Sequence, residues 1–314
     1  MKAISFTPRF WVASCFILFV LLVGVVGPLV IKTNPDTVIG GLYDSPHGFG
    51  NMLLGTDNEG QSVLSNLVFG VRTSLLVGLI AGVIATGIGV IMGIIAGYVG
   101  GVVDDILMGL TNVALAIPSI VVVILLSIAL NNRGVVILGV VIGITSWPWT
   151  ARAVRAQATS VRTREHIDVA KMSGASLPSI LLRDVLPYLL SYVVMAFVLQ
   201  MSGAILTESA LSMLGLGPSG GVSLGIMLYW ALAWGSVRTG AYWAFLPPTL
   251  MLTLVAFSLL LLQSSLDEVF NPRLRRGGSK RLRAGGTAAA MATTPQPAEV
   301  PARAPEPATA GGRR

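Results

Sequence analysis

Six long apolar stretches divide the chain, at roughly residues 10–31, 74–98, 106–130, 134–151, 187–207 and 243–266. About 20 mostly apolar residues cross the hydrocarbon core of a bilayer as a helix, so each stretch predicts a membrane span, the fourth being the shortest. None shows the apolar–polar alternation over about ten positions that marks a membrane β-strand. The pattern therefore predicts an all-α integral membrane protein with about six transmembrane helices. Ile117-Pro118 falls within the third stretch and predicts a bend there, because proline removes a backbone donor. Trp147-Pro148-Trp149 closes the fourth stretch, as indole rings favour the membrane–water interface.

The polar segments complete the organisation. Residues 1–9 form a short basic N-terminus, and residues 10–31 read as an uncleaved anchor helix, since no small-x-small cleavage site follows before Lys32. Residues 32–71 are rich in turn formers, and apolar positions 63, 64, 67, 68 and 71 give their last part a helical period. This predicts an amphipathic helix lying at the membrane surface. Asp57 and Glu59 read as charge at that helix's N-terminus, favoured by the helix dipole, rather than as a metal site. Tyr98 to Asp105 reads as a short turn, with Asp104 as cap of the next helix. A Gly-rich loop, Gly215 to Gly240, separates the last two spans. Residues 72–276 hold the remaining five spans and the loop 162–187. Residues 277–314, rich in Ala, Gly, Pro and Thr, cannot bury enough apolar surface to fold and predict a disordered tail.

Composition agrees with this division. Only 11% of residues are charged and mean hydropathy is +0.78, against about 25% charged in soluble domains. The 36 glycines suit helices that pack closely, and Gly89, Gly93 and Gly97 recur at spacing four. A net charge of +7 could suggest nucleic acid, but its distribution argues otherwise. With the N-terminus placed in the cytoplasm, Lys32, Arg72, Arg133 and Arg238 are the basic residues left outside, out of 21. That excess of inward Lys and Arg is an orientation signal, with both termini cytoplasmic. Cys15 is the lone cysteine, so no intrachain disulfide is possible.

One polar stretch stands among the apolar ones. It reads Arg162-Thr-Arg-Glu-His-Ile-Asp-Val-Ala-Lys-Met-Ser-Gly-Ala-Ser and continues to Leu186-Pro187. Gly174 predicts a helix end, because glycine tolerates left-handed geometry, and Ser176 predicts the cap of a following helix with Pro178 in its first turn. The product is a helix–turn–helix knob on the cytoplasmic face, where small Ala170 and Gly174 admit a partner surface. A solvated loop of mixed charge is the plainer alternative.

Much chemistry is absent. None of the lysines follows Gly and precedes Ser or Thr, so the chain has no P-loop to cradle ATP. His47 and His166 are the only histidines and exclude a His-x-x-x-His zinc site; no metal ligands or catalytic residues are assigned. An ion-driven carrier keeps ionisable groups inside its helices, yet Thr73–Val103 and Ile106–Leu130 are uncharged before and after the Asp104-Asp105 turn. Pro118, Met201 and Glu208 are candidate pathway or gate residues. Packing is the plainer reading of Pro118, and an interfacial or loop-capping place at the outer end of the fifth span that of Glu208.

Asp168-Val169-Ala170, followed by Gly174 and by Leu186-Pro187, resembles the EAA coupling loop of ABC-importer permeases, with Asp168 and Val169 departing from Glu-Ala. The likeness extends over about residues 10–276. Leu54-Gly55-Thr56-Asp57, Arg72-Thr73-Ser74-Leu75, Ala96-Gly97-Tyr98, Trp147-Pro148, Leu211-Ser212-Met213-Leu214-Gly215-Leu216-Gly217 and Asn271-Pro272-Arg273-Leu274-Arg275 stand in family order. The chain is identified as resembling the second-type permease of peptide/nickel ABC importers. That resemblance implies a type I importer permease fold, a non-catalytic half-channel in the bacterial inner membrane. It implies three kinds of partner: a related permease, two ATPase subunits or one fused ATPase, and an extracellular or periplasmic substrate-binding protein. ATP and magnesium would belong to the ATPases, with no cofactor in this chain. On this resemblance Glu165, Asp168, Val169, Ala170, Gly174, Ala175, Ser176, Arg183 and Pro187 form the ATPase-coupling loop. Peptide is the expected cargo, with nickel chelates or haem as alternatives and an ion-coupled secondary transporter as the reading from another class.

Overall fold

A computed structural model describes residues 8–31, 33–130 and 134–270. The expected tail at 277–314, the landmark at 271–275, Lys2, Lys32 and Arg133 lie outside the described residues. The apolar runs become helices, and most extend beyond the run that predicts them. Helix α1 spans Pro8–Val30, α2 Val63–Val99, α3 Gly101–Ala116, α4 Ser119–Ala129 and α5 Val135–Arg162. They are followed by α6 at Glu165–Met172, α7 at Leu177–Met213, α8 at Leu224–Ala233 and α9 at Tyr242–Phe270. By length and apolarity α1, α2, α5, α7 and α9 can each cross a bilayer, and α3 with α4 supply the sixth span as a pair.

That pair is broken rather than merely bent. Between α3 and α4 the chain turns by 79° at Ile117-Pro118, where the extended geometry of Ile117 suits a residue before proline. Proline behaves differently in α5. Pro148 sits inside the helix, which continues to Arg162 instead of ending at Trp149. Gln200 of α7 donates to the Ser146 carbonyl at 2.9 Å and to Thr150 Oγ1 at 2.6 Å, supplying polar contacts beside the proline.

Three further expectations are corrected. Residues 63–71 form no separate surface helix but the first turns of α2, because Ser62 caps it by accepting from Ser65 N–H and the apolar face is buried by neighbours. Asp104 lies within the first turn of α3 rather than at its cap. Gly100, with φ 72°, occupies the cap because the turn from α2 needs a left-handed residue. Asp57 and Glu59 do not belong to a helix start. The Asp57 carboxylate is the hub of the 33–62 segment, accepting from Glu59 and Gln61 N–H at 2.9 Å each and from Asn66 Nδ2 at 2.8 Å. Trp243 of α9 donates to the Thr56 carbonyl at 3.1 Å and fastens the segment to the bundle.

The bundle is organised by α2 against α5. A Cβ placed on Gly93 would lie 2.6 Å from the Ala151 carbonyl, and one on Gly97 2.5 Å from the Arg155 carbonyl. Gly139 and Gly143 of α5 return the arrangement against Ile80 and Ile84 of α2. Backbones this close pack through dispersion, the main attraction available between helices in lipid. Helix α7 covers another face of α2, with Ile205 and Met201 against Gly78 and Gly82.

Candidate functional site

The loop after α5 folds as the sequence predicts. Thr163 ends α5, and the eight-residue α6 closes on Ser173. Gly174 then takes φ 75°, with its N–H donating to the Lys171 carbonyl at 3.0 Å and Ala175 N–H to the Ala170 carbonyl at 3.2 Å. These two bonds are a Schellman closure, which satisfies carbonyls that the helix end leaves open. Ser176 occupies the cap position of α7 without a side-chain capping bond, so Pro178 in the first turn is the start signal the structure uses.

What α6 buries and what it shows differ sharply. Ile167 is 0% exposed and anchors the helix in an apolar cluster with Val154, Ala158, Ile180 and Val185, against which Ala170 and Ala175 also pack. On the opposite face Val169 is 61% and Met172 81% exposed. Glu165 and Asp168 are exposed beside them, and Lys171 Nζ reaches Asp168 Oδ1 at 3.2 Å. A Cβ added at Gly174 meets nothing within 4 Å, so the glycine is required by backbone geometry and not by crowding within the chain. The result is an apolar tip with an acidic flank on a short, firmly rooted helix.

The structure brings Glu165, Asp168, Val169, Ala170, Gly174, Ala175 and Ser176 into one projection. Arg183 and Pro187 lie further along α7, exposed on the stretch that leaves the loop. A π-turn at Leu181–Val185 loosens the helix there. Sequence reasoning missed the root of the projection. Arg164 lies over the Tyr188 ring at 4.5 Å and donates to its hydroxyl, while His166 stacks on the same ring at 5.6 Å. The signal available was an aromatic following Leu186-Pro187, at the point where the loop rejoins the bundle.

The pathway candidates separate. Pro118 sits exposed at the elbow between α3 and α4. Met201 packs on Gly82 of α2 and lines an apolar cavity of about 250 Å³ with Leu75, Phe197 and Val255. Glu208 lies in the last turns of α7 and is 0% exposed. Its carboxylate accepts from Ser212 Oγ at 2.7 Å and from Ser74 Oγ of α2 at 3.0 Å. Packing of three elements around this position, which the linear sequence does not display, removes it from water. Among the described residues no group of three metal-ligating side chains converges.

Comparison with known proteins agrees with this architecture. Residues 89–276 match the family described as binding-protein-dependent transport system inner membrane component. The oligopeptide transport system permease protein OppC of Salmonella typhimurium is 40% identical over 208 residues, covering 66% of this chain and 68% of the relative. The dipeptide transport system permease protein DppC of Bacillus subtilis is 31% identical over 273 residues, 84% of this chain and 82% of the relative. OppC of Escherichia coli K12 is 37% identical over 208 residues, 66% of this chain and 68% of the relative. With more than half its length matched and these relatives covered along most of theirs, the chain belongs to the inner-membrane permeases of ABC importers, and its multi-pass helical bundle is the type I importer permease fold.

Proposed function

We propose that this chain is one half of the translocation path of an ATP-driven importer of di- or oligopeptides, paired with a related permease and coupled to ATPase subunits through α6. The observation that carries the coupling role is the exposed tip, Val169 and Met172 flanked by Asp168, standing on the buried root Ile167. Exposed apolar side chains on a rigid helix suit a groove in a soluble partner, where their burial is favourable. The loop lies directly between α5 and α7, so a push on α6 reaches two long helices at once. Closure of the ATPases around ATP would shift the permease between two states, the nucleotide biasing which is populated. In this reading the α6 end is cytoplasmic, the 33–62 end faces the binding protein, and ATP with magnesium is held by the ATPases.

The peptide class follows the names of the relatives, and a nickel chelate or haem is the alternative cargo. Identifying what the cognate binding protein carries decides between them. An ion-driven carrier is the reading from another class, and buried Glu208 is the observation in its favour. Uptake that persists without ATPase subunits would select it.

The coupling role is tested with Gly174→Leu. Left-handed geometry costs a residue with a side chain roughly 1–2 kcal/mol, and ~1.4 kcal/mol is tenfold in an equilibrium. Expression and insertion are expected to stay normal while ATP hydrolysis stimulated by binding protein falls about tenfold. Asp168→Ala is expected to be milder, since its exposed pair with Lys171 contributes about 0.2–0.5 kcal/mol. Full stimulation in Gly174→Leu would remove α6 from the transmission path.

A further inference from the structure

Glu208 stands close to the far end of the helix that starts at the coupling loop. Helix α7 runs unbroken in chain from Leu177 to Met213, about 55 Å at 1.5 Å per residue, and Glu208 is on its last turns. What the carboxylate holds there is the start of the short helix α8. Ser74 Oγ donates to Glu208 and accepts from Leu224 N–H, the first amide of α8, at 3.3 Å. Ser212 Oγ donates to the other carboxylate oxygen and lies 3.4 Å from Ser223 Oγ. Ser223 in turn caps α8 by accepting from Ile226 N–H at 3.2 Å. One buried side chain thus joins α2, α7 and the N-terminus of α8 through three serine hydroxyls.

The backbone fits the same purpose. A Cβ on Gly225 of α8 would fall 2.6 Å from the Ser209 Cα, and one on Gly70 of α2 3.2 Å from the Ser223 carbonyl carbon. Among the described residues no Lys or Arg pairs with Glu208, so hydroxyl donors and the amide end of α8 are what its oxygens face. On its other side α8 is not packed against protein throughout. Ile226, Tyr229 and Trp230 form one wall of an open cavity of about 440 Å³ whose rim includes Asp36 and Ser212.

We infer that Glu208 is a positioning residue that makes α8 travel with α7, so that α8 is a movable wall of the cavity at the end opposite α6. This rests on the coupling role proposed for α6. A displacement of the loop enters α7 at Leu177 and leaves it at Glu208. There Leu224 N–H on Ser74 and Ser223 beside Ser212, hydroxyls that the carboxylate orients, leave α8 no low-cost way to stay behind, because parting them strands buried polar groups away from water.

The experiment uses the assembled complex with Cys15→Ser and a reporter, Tyr229→Cys, at the cavity wall. Its rate of reaction with a membrane-impermeant maleimide is measured without nucleotide and after trapping with ATP and orthovanadate. The wild-type residue at 208 is expected to give a nucleotide-dependent change of about tenfold, within the usual range of coupling between sites. Glu208→Ala is expected to hydrolyse ATP while its reporter rate no longer responds. Glu208→Gln, whose amide can accept from one serine and donate to the other, is expected to restore most of the response. A full response in Glu208→Ala would overturn the inference. Should Glu208→Ala not assemble, Ser74→Ala reads the same link, and an undiminished response there would overturn it equally. A wild-type complex that hydrolyses ATP with no reporter response would instead refute the coupling role on which this rests.

Discussion

The guanidinium of Arg155 clasps the Asp104 carboxylate in a two-point contact, Nε to Oδ1 at 2.9 Å and Nη2 to Oδ2 at 2.5 Å. It ties the first turn of α3 to the half of α5 that leads into α6. Forty residues from its own position, Asn112 accepts from Arg152 at 2.7 Å and repeats the tie lower on α3. The first half of the broken span is therefore held against α5 at two points.

Breaking the Asp104–Arg155 clasp is expected to cost about 1 kcal/mol, the upper end for pairs that water reaches, because its geometry is bidentate. A double-mutant cycle of Asp104→Ala and Arg155→Ala, read by thermal unfolding of the purified chain, measures it. Additive single effects would show that the two groups do not interact.

Glycines on one helix should differ in tolerance. Gly93→Ala and Gly97→Ala place a methyl against the α5 backbone and are each expected to destabilise by about 1–3 kcal/mol. At Gly87 an added Cβ meets nothing within 4 Å, so Gly87→Ala is expected to be neutral or to stabilise by up to about 1 kcal/mol. Comparable melting temperatures for Gly87→Ala and Gly93→Ala would contradict the close α2–α5 contact.

Asp57 supplies a pH test. Burial raises its carboxyl above the ordinary range, and the bonds from Glu59, Gln61 and Asn66 offset only part of that. With the folded-state pKa above the unfolded one, its contribution to stability is fully present at low pH. That contribution is lost as pH rises through the folded value. Asp57→Asn cannot ionise, so its stability relative to wild type is expected to improve as pH rises from about 4 to 7. Proteolysis within 33–62 across that range reads the difference; a gap that does not change with pH would mean Asp57 titrates normally.

Orientation is open to labelling. In a Cys15-free background Arg238→Cys is expected to react with an impermeant reagent in intact cells, and Arg155→Cys only after the membrane is opened. The reverse pattern would invert the assignment of α6 to the cytoplasm.

The elements legible in the sequence are those whose signal is local. Apolar length marked the spans, and Gly174 with Pro178 marked the helix–turn–helix because each acts on its own backbone. Helix α8 was hidden inside a Gly-rich stretch. Its ten apolar residues are too few to read as a span and too uniform to show a face. The start of α2 read as a separate surface helix because Arg72 interrupts the apolar run, although the helical period continues through it. The burial of Glu208 was hidden for a different reason. Its position in the chain says nothing of Ser74, 134 residues earlier, and the burial of an acid is decided by such company.

The elbow at Ile117-Pro118 has a consequence for where lipid can be. Pro118 offers no N–H, and the first turn of α4 has the Pro118 carbonyl as its inward acceptor, with Val121 N–H bonding to it at 3.0 Å. The last carbonyls of α3 are open on the other side of the break. Hydrocarbon satisfies none of these groups, and each left bare there costs several kcal/mol. Residues 117–120 are nevertheless exposed on this chain. The elbow must then meet either water or a polar surface of another subunit, so acyl chains are kept off this part of the molecule. Ile117→Cys in the assembled complex should accordingly react with a water-soluble reagent or cross-link to the neighbouring permease, and labelling only by a lipid-dissolved probe would show that the break lies bare in the bilayer.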